Sequence, residues 1–241
     1  MTSNLLLMSG FNHDFPATSA AMARLLSDLG VDTEITDDIN GALSSGRHYD
    51  LLTVNALRFT MDEDRFADRR AEFGLHLADA AKAGILDHLS RGAPLLGMHT
   101  ASICFDDFPQ WGEILGGYWD WNISWHPPRG PIDVFTGQDD GNPITDGLAG
   151  FSVTDEVYHD LILQPDVRGL VTGTAAGGPP HPVMWTRTWR NARVAYDALG
   201  HDVTSIGNPV HATLIRRLAQ WLLGRPAAEI RATGPGPDAE Q

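Results

Sequence analysis

The chain predicts a doubly wound α/β domain, a mostly parallel sheet with helices on both faces. Three observations predict it. Short apolar runs alternate with stretches of helical pattern over the first hundred residues. Most of these segments stop at a glycine or an Asp/Asn turn. The 241 residues, 42% hydrophobic and 20% charged, suffice for one large domain with its own core.

The elements run in order along the chain. "NLLLMSG" (4–10) is a buried strand, and "PATSAAMARLLSDLG" (16–30) is a helix opened by Pro16 and closed by Gly30. "VDTEITDD" (31–38) alternates as a strand does, and "YDLLTVNAL" (49–57) is the next apolar strand. The charged, weakly periodic segment 58–74 reads as an exposed excursion. A helix over 75–92 closes at Gly92, and "APLLGMHTAS" (93–102) supplies a further strand running into a sharp turn. "FPQWGEILGG" (108–117) is a short helix, and "YWDWNISWHPPRGP" (118–131) is a stiff, Trp- and Pro-rich loop. "IDVFTG" and "RGLVTGTA" are strands around the segment 142–160. "HPVMWTRTW" and "ARVAYDALGHD" are consecutive strands joined by a turn at Asn191, and 208–224 is the closing amphipathic helix. The predicted layout is one domain over 1–224 with a Pro/Gly/Ala-rich, disordered tail over 225–241.

Charge narrows the partners. With 17 basic and 31 acidic residues the net charge is −14, which excludes nucleic acid and anionic membranes as main partners. No apolar run approaches a membrane span, and the N-terminus has no basic region ahead of its short apolar stretch, so a cytoplasmic protein is expected. The lone Cys104 excludes an intramolecular disulfide and an all-Cys zinc site, whereas 10 histidines leave material for a His-based one. Oligomerisation stays open: the excursion at 58–74 and the Trp-rich loop are each candidates to cover a site or form a homo-oligomer contact.

Five stretches carry candidate chemistry. In "LLGMHTAS" a strand, a sharp turn and a helix would hold His99 over the sheet edge where such folds bind ligands. A nucleophilic elbow has Ser or Cys at that apex; a neutral imidazole there suits a metal or a base. The alternative is a His bonded to the next turn. In "ALGHD", His201 and Asp202 follow a strand end, as a catalytic pair or with Asp202 as a helix cap. "TDEVYHD" sets Asp155 and Glu156 beside Tyr158 and His159 after a strand, with one carboxylate facing inward as acid/base or metal ligand, or the whole stretch a solvated acidic loop. In "SWHPPRGP", Trp125 and His126 sit in a stiff loop suited to gripping a sugar ring, unless the tryptophans are core. His13 follows the first strand at the same edge, beside Asp14, whose bland role is to cap the helix.

Together these pieces resemble the ThuA-like (trehalose utilisation) family. "SGFNHDFPAT", "LLGMHTAS", "FPQWGEILGG", "WHPPRGP", "NPITDGL", "TDEVY", "PVMWTRTW", "RVAYDALGHD" and "LIRRLAQWLLG" occur in the family's order over residues 4 to 224. The resemblance implies a flavodoxin-like three-layer sandwich similar to class I glutamine amidotransferases. In those relatives the apex of G-x-C is a nucleophilic Cys and a later strand end supplies His and an acid. Here "GMH" replaces G-x-C, "GHD" falls where that His belongs, and Cys104 lies five residues past the apex, so glutamine hydrolysis is rejected. The family context implies a sugar substrate: trehalose, a related disaccharide or a keto-glycoside. The expected site has His99, His201, Glu156 and Asp202 as catalytic groups. His13, Trp125, His126 and Tyr158 would contact the substrate, and His99, His201 and Glu156 would hold a divalent metal such as zinc. Two other readings stay open: a non-catalytic carbohydrate-binding or regulatory protein on the same scaffold, and a metal hydrolase of a non-sugar substrate.

Overall fold

The computed structural model describes residues 1–137 and 141–234. Strand β1 (Thr2–Ser9) buries Leu5, Leu6 and Leu7, and α1 (Phe15–Ser27) starts on Asp14, whose side chain accepts from the Ala17 amide. Next come β2 (Val31–Thr36), α2 (Ile39–Ser44) and β3 (Leu51–Ala56), the last buried at every position. After β3 a single 3-10 turn and α3 (Ala67–Phe73) form a side structure, followed by α4 (Asp79–Ser90) and β4 (Leu95–Met98). The next elements are α5 (Gln110–Leu115), β5 (Gly117–Tyr118), β6 (Gly130–Thr136), β7 (Phe151–Asp155) and β8 (Ile162–Leu163). The chain continues through β9 (Gly169–Ala175), β10 (His181–Trp189), β11 (Ala192–Asp197), α6 (Val203–Ile206), α7 (Pro209–Leu222) and α8 (Ala227–Ala232).

The main sheet has nine strands in the order β2-β1-β3-β4-β11-β10-β9-β6-β7, with β5 and β8 paired separately. From β2 to β11 every pairing is parallel; from β11 to β7 every pairing is antiparallel. The sheet is therefore mixed rather than mostly parallel. The physical reason lies in the connections. Only Arg190 and Asn191 separate β10 from β11, and so short a link makes a hairpin, never a crossover.

The alternation has a consequence for chemistry. β7 runs in the same direction as β11, so its C-terminal end reaches the same edge as the ends of β1, β4 and β11. Four strand ends thus deliver side chains to one place.

Two further expectations change. The excursion at 58–74 is not merely exposed: Phe59 and Met61 are buried, and Phe66 and Phe73 pack on them. The expected tail from 225 carries α8, whose Ile230 is 1% exposed, and Arg217 reaches the Thr233 and Arg231 carbonyls from α7. The remainder of that tail, 235–241, lies outside the described residues.

Candidate functional site

His99 opens directly on the end of β4. Its φ is +43°, a left-handed conformation rarely adopted by a bulky side chain and worth about 1–3 kcal/mol of strain. The turn is held from several sides. The Tyr196 hydroxyl donates to the His99 carbonyl at 2.6 Å, and the Thr100 hydroxyl donates to the Ala56 carbonyl at 2.6 Å. Gly97 leaves room for it: a Cβ there would lie 2.6 Å from Leu115 Cδ1. Beyond the turn the chain forms a five-residue 3-10 helix, His99–Ile103, rather than the helix expected.

The imidazole tautomers can be read from their carbonyl partners. His99 Nδ1 lies 2.6 Å from the Ala198 carbonyl and must donate to it. His13 Nδ1 lies 3.1 Å from the Phe11 carbonyl and does the same. Each neutral ring then presents a bare Nε2, and the two Nε2 atoms are 3.1 Å apart. Two lone pairs at that separation repel, so a proton or a cation belongs between them.

Glu156 closes the group. Its Oε2 is 3.5 Å from His99 Nε2, and its Oε1 is 3.3 Å from His201 Nδ1. That second approach is too misaligned for a hydrogen bond, and the buried His201 Nδ1 has no hydrogen-bond partner. One ligand atom from each of His13, His99, Glu156 and His201 falls within 4.8 Å of the others. The donor set and the orphaned His201 nitrogen fit a divalent ion.

Electrostatics agree with a group that needs a positive charge. Burial opposes charge on Glu156, but His201 and His99 outweigh it and hold the carboxyl well below its usual range. Burial likewise opposes charge on His99, yet Glu156 and Asp155 raise its pKa above the ordinary value. His13 goes the other way: burial, then the charge of His99, lowers it to about 4.

Tyr158 and His126 complete one wall. The Tyr158 hydroxyl sits 3.1 Å from His99 Nε2, and burial keeps that phenol protonated by pushing its pKa well up. His126 Nδ1 is 2.9 Å from the Pro127 carbonyl and 3.7 Å from Glu156 Oε1, which leaves Nε2 as its acceptor. The Trp119 ring packs edge-on against both His126 and Tyr158.

Two predicted residues do not join. Asp202 accepts from the Thr204 and Ser205 amides at 2.9 and 3.1 Å and pairs with Arg129, so it is the N-cap of α6 rather than the partner of His201. Adjacent side chains on a turn diverge, which is why neighbours in the sequence part here. Trp125 is half exposed, donates to Asp160 and packs its ring at a tilt against His159, outside the group of four ligand residues.

One residue was underrated by its position in the chain. Asp155, 1% exposed, accepts from the Glu156 amide at 2.7 Å, the Gly200 amide at 2.8 Å and the His201 amide at 3.4 Å. It joins the two loops that carry Glu156 and His201. Gly200 takes φ +109°, open only to glycine, and so turns the His201 loop toward that carboxylate. Cys104 is 3% exposed, its thiol donates to the Ala56 carbonyl, and burial pushes its pKa up to about 12. It has none of the features of a nucleophile.

The family model for ThuA, trehalose utilisation, matches residues 4–222. No curated protein matches the chain in sequence. Among solved structures, a thua-like protein from Parabacteroides merdae ATCC 43184 is similar with TM-score 0.70 and 19% identity, over 93% of this chain and 91% of the other. A cytoplasmic protein from Salmonella typhimurium LT2 is similar with TM-score 0.57 and 14% identity, over 95% and 99%. A cold-adapted beta-galactosidase from Rahnella sp. R3 is similar with TM-score 0.58 and 15% identity, over 93% of this chain and 31% of the enzyme. At these identities the likeness is one of fold.

Proposed function

As this chain belongs to the ThuA family, described as trehalose utilisation, we propose that it is a carbohydrate-processing enzyme whose centre is a divalent-metal site. His13, His99, His201 and Glu156 would hold the ion, and zinc suits three imidazoles and a carboxylate. The observation that carries this reading is the facing pair of Nε2 atoms, 3.1 Å apart, with both Nδ1 atoms committed to carbonyls. His13, expected from the sequence to contact substrate, thereby becomes a ligand. The strand order β2-β1-β3-β4-β11 supports the flavodoxin-like reading of the parallel half, in which ligands sit beyond the C-terminal strand ends. We place the protein in the cytoplasm, in keeping with its acidic charge and the absence of any membrane-length apolar helix among the described residues.

The substrate class is a disaccharide such as trehalose or its keto-glycoside. When bound, the ion supplies Lewis acidity toward a sugar carbonyl or a water. The chain's own groups do the rest. Tyr158, kept neutral by burial, holds its hydroxyl 3.1 Å from His99 Nε2 and would be freed to donate to substrate when an ion takes that nitrogen. His126, partly exposed beside Glu156, accepts a proton at Nε2. For a 3-keto sugar, removing the proton beside the carbonyl and expelling the glycosidic oxygen from the next carbon cleaves the glycoside by elimination.

The test uses tag-free protein. Elemental analysis and zinc titration should give one ion per chain in the wild type and none in His99→Ala or Glu156→Gln. Reducing-sugar release from trehalose, maltose and their 3-keto derivatives should depend on that ion. Substoichiometric metal with no zinc uptake removes the metal site. Sugar binding with no turnover by the zinc-loaded wild type replaces the enzyme with a carbohydrate-binding protein.

A further inference from the structure

Next to the histidine centre, on the other side of Trp119, lies a second cavity of about 560 Å³. Aromatic rings form its walls, with Tyr118, Trp119 and Trp121 among them, and carboxylates and amides such as Glu113 and Gln164 supply its polar lining. Among the described residues, neither arginine, lysine nor histidine lines it. None of the histidine centre's four ligand residues reaches it.

The walls are built rather than incidental. Trp121 packs against Phe59 and Phe66 at ring distances of 5.1 Å, and the Arg65 guanidinium lies over its ring. The helical excursion and the Trp-rich loop therefore brace one another. The Trp119 amide donates to the Ser102 carbonyl at 2.9 Å, which ties the partition to the turn that carries His99. The Trp119 indole N–H is buried and has no hydrogen-bond partner.

We propose that this cavity is a second sugar site, which takes a neutral polyhydroxylated ring beside the histidine centre. Indole and phenol faces suit the C–H face of a pyranose. Carboxylates and amides accept from its hydroxyls. A neutral polyol uses the Gln164 amide and the carboxylates together as acceptors for its hydroxyls, which an organic cation, the other guest of acidic aromatic cavities, does not. The one guanidinium beside the walls, that of Arg65, is paired with Glu63 and lies over Trp121, so a neutral sugar fits better than a sugar phosphate. The ligand class rests on the carbohydrate reading above; the cavity does not depend on the metal.

Glucose, trehalose, glucose 6-phosphate and tetramethylammonium would be titrated into metal-free full-length protein, followed by tryptophan fluorescence and saturation-transfer NMR. Glucose and trehalose should bind the wild type and His99→Ala alike, and the other two probes should not. Trp121→Ala should weaken sugar binding about tenfold or more. Gln164→Leu, which leaves the packing of Trp121 alone, should weaken it several-fold. Zinc uptake at the histidine centre should be unchanged in both. Sugar binding without zinc uptake sinks the metal reading and upholds this site. No saturable sugar binding overturns the site, as does binding that is lost in His99→Ala and kept in both cavity variants. Preference for tetramethylammonium overturns it too.

Discussion

Asp155→Asn is the substitution that separates a scaffold of loops from a tuned centre. The carboxylate is 1% exposed and accepts three amides: Glu156 and His201 through Oδ1 at 2.7 and 3.4 Å, and Gly200 through Oδ2 at 2.8 Å. Asparagine has one oxygen. Whichever way it turns, an NH2 group faces at least one amide N–H, so a charge-assisted bond becomes a donor–donor contact. A hydrogen bond to a charged group is worth about 1.5–3 kcal/mol, and an unsatisfied buried donor adds a cost of similar size. Since the long 3.4 Å contact contributes little, the loss works out at about 3 kcal/mol. For a chain of this size that is a fall in Tm of about 6–12 °C. The same change releases the tether between Glu156 and the His201 loop, and residues that orient metal ligands typically change affinity by about 10–100-fold. Thermal unfolding of the metal-free protein and calorimetric zinc titration read the two effects separately. Zinc affinity equal to wild type in a variant that unfolds several degrees earlier would refute the positioning role and leave Asp155 a structural residue only.

Buried groups elsewhere in the molecule carry the other expectations. Cys104, 3% exposed with its pKa pushed up to about 12, should resist thiol reagents at neutral pH until the protein is denatured; rapid labelling of native protein would contradict the burial described. His211 is enclosed between the Asp197 carboxylate at 2.9 Å and the Ser205 carbonyl at 2.8 Å; burial opposes its charge, but Asp197 prevails and raises its pKa. Its share of stability is full below the unfolded-state pKa of about 6.5 and is lost as pH rises through the higher folded value. His211→Gln should therefore flatten the alkaline side of the stability profile, read by urea unfolding across pH. Ile230→Ala empties a position 1% exposed and should cost about 2–5 kcal/mol. An unchanged urea midpoint would return that segment to the status of a tail.

What the sequence disclosed and what it hid divide along a physical line. The parallel half was legible because its inner strands are apolar runs, as "LLL" in β1 and "LLTVNA" in β3 are, while the edge strand β2 shows the alternation of a half-exposed one. The direction of the antiparallel half depends on link lengths and register, to which apolar patterning is blind. The tail misled because its Pro, Gly and Ala content resembles a disordered end, whereas a single Ile230 and the reach of Arg217 suffice to dock α8.

The histidine centre shows the same limit from the side of function. His99, Glu156 and His201 were recognisable because each lies at a turn just past a strand end. His13 was placed at the right edge with the wrong task, since only coordinates reveal that its Nδ1 is spent on the Phe11 carbonyl and its Nε2 points at His99. Asp202 and Asp155 trade places for a related reason. A carboxylate beside a histidine in sequence invites pairing, yet at a turn it finds amides first: Asp202 meets those of α6. The carboxylate that holds the loop of His201, chiefly through the Gly200 amide, arrives from β7, 45 residues away in the chain, and it does so because the antiparallel half brings β7 back to the edge where β11 ends. The feature of the fold hardest to read from the sequence, the reversal of the sheet, is thus the one on which the assembly of the centre depends.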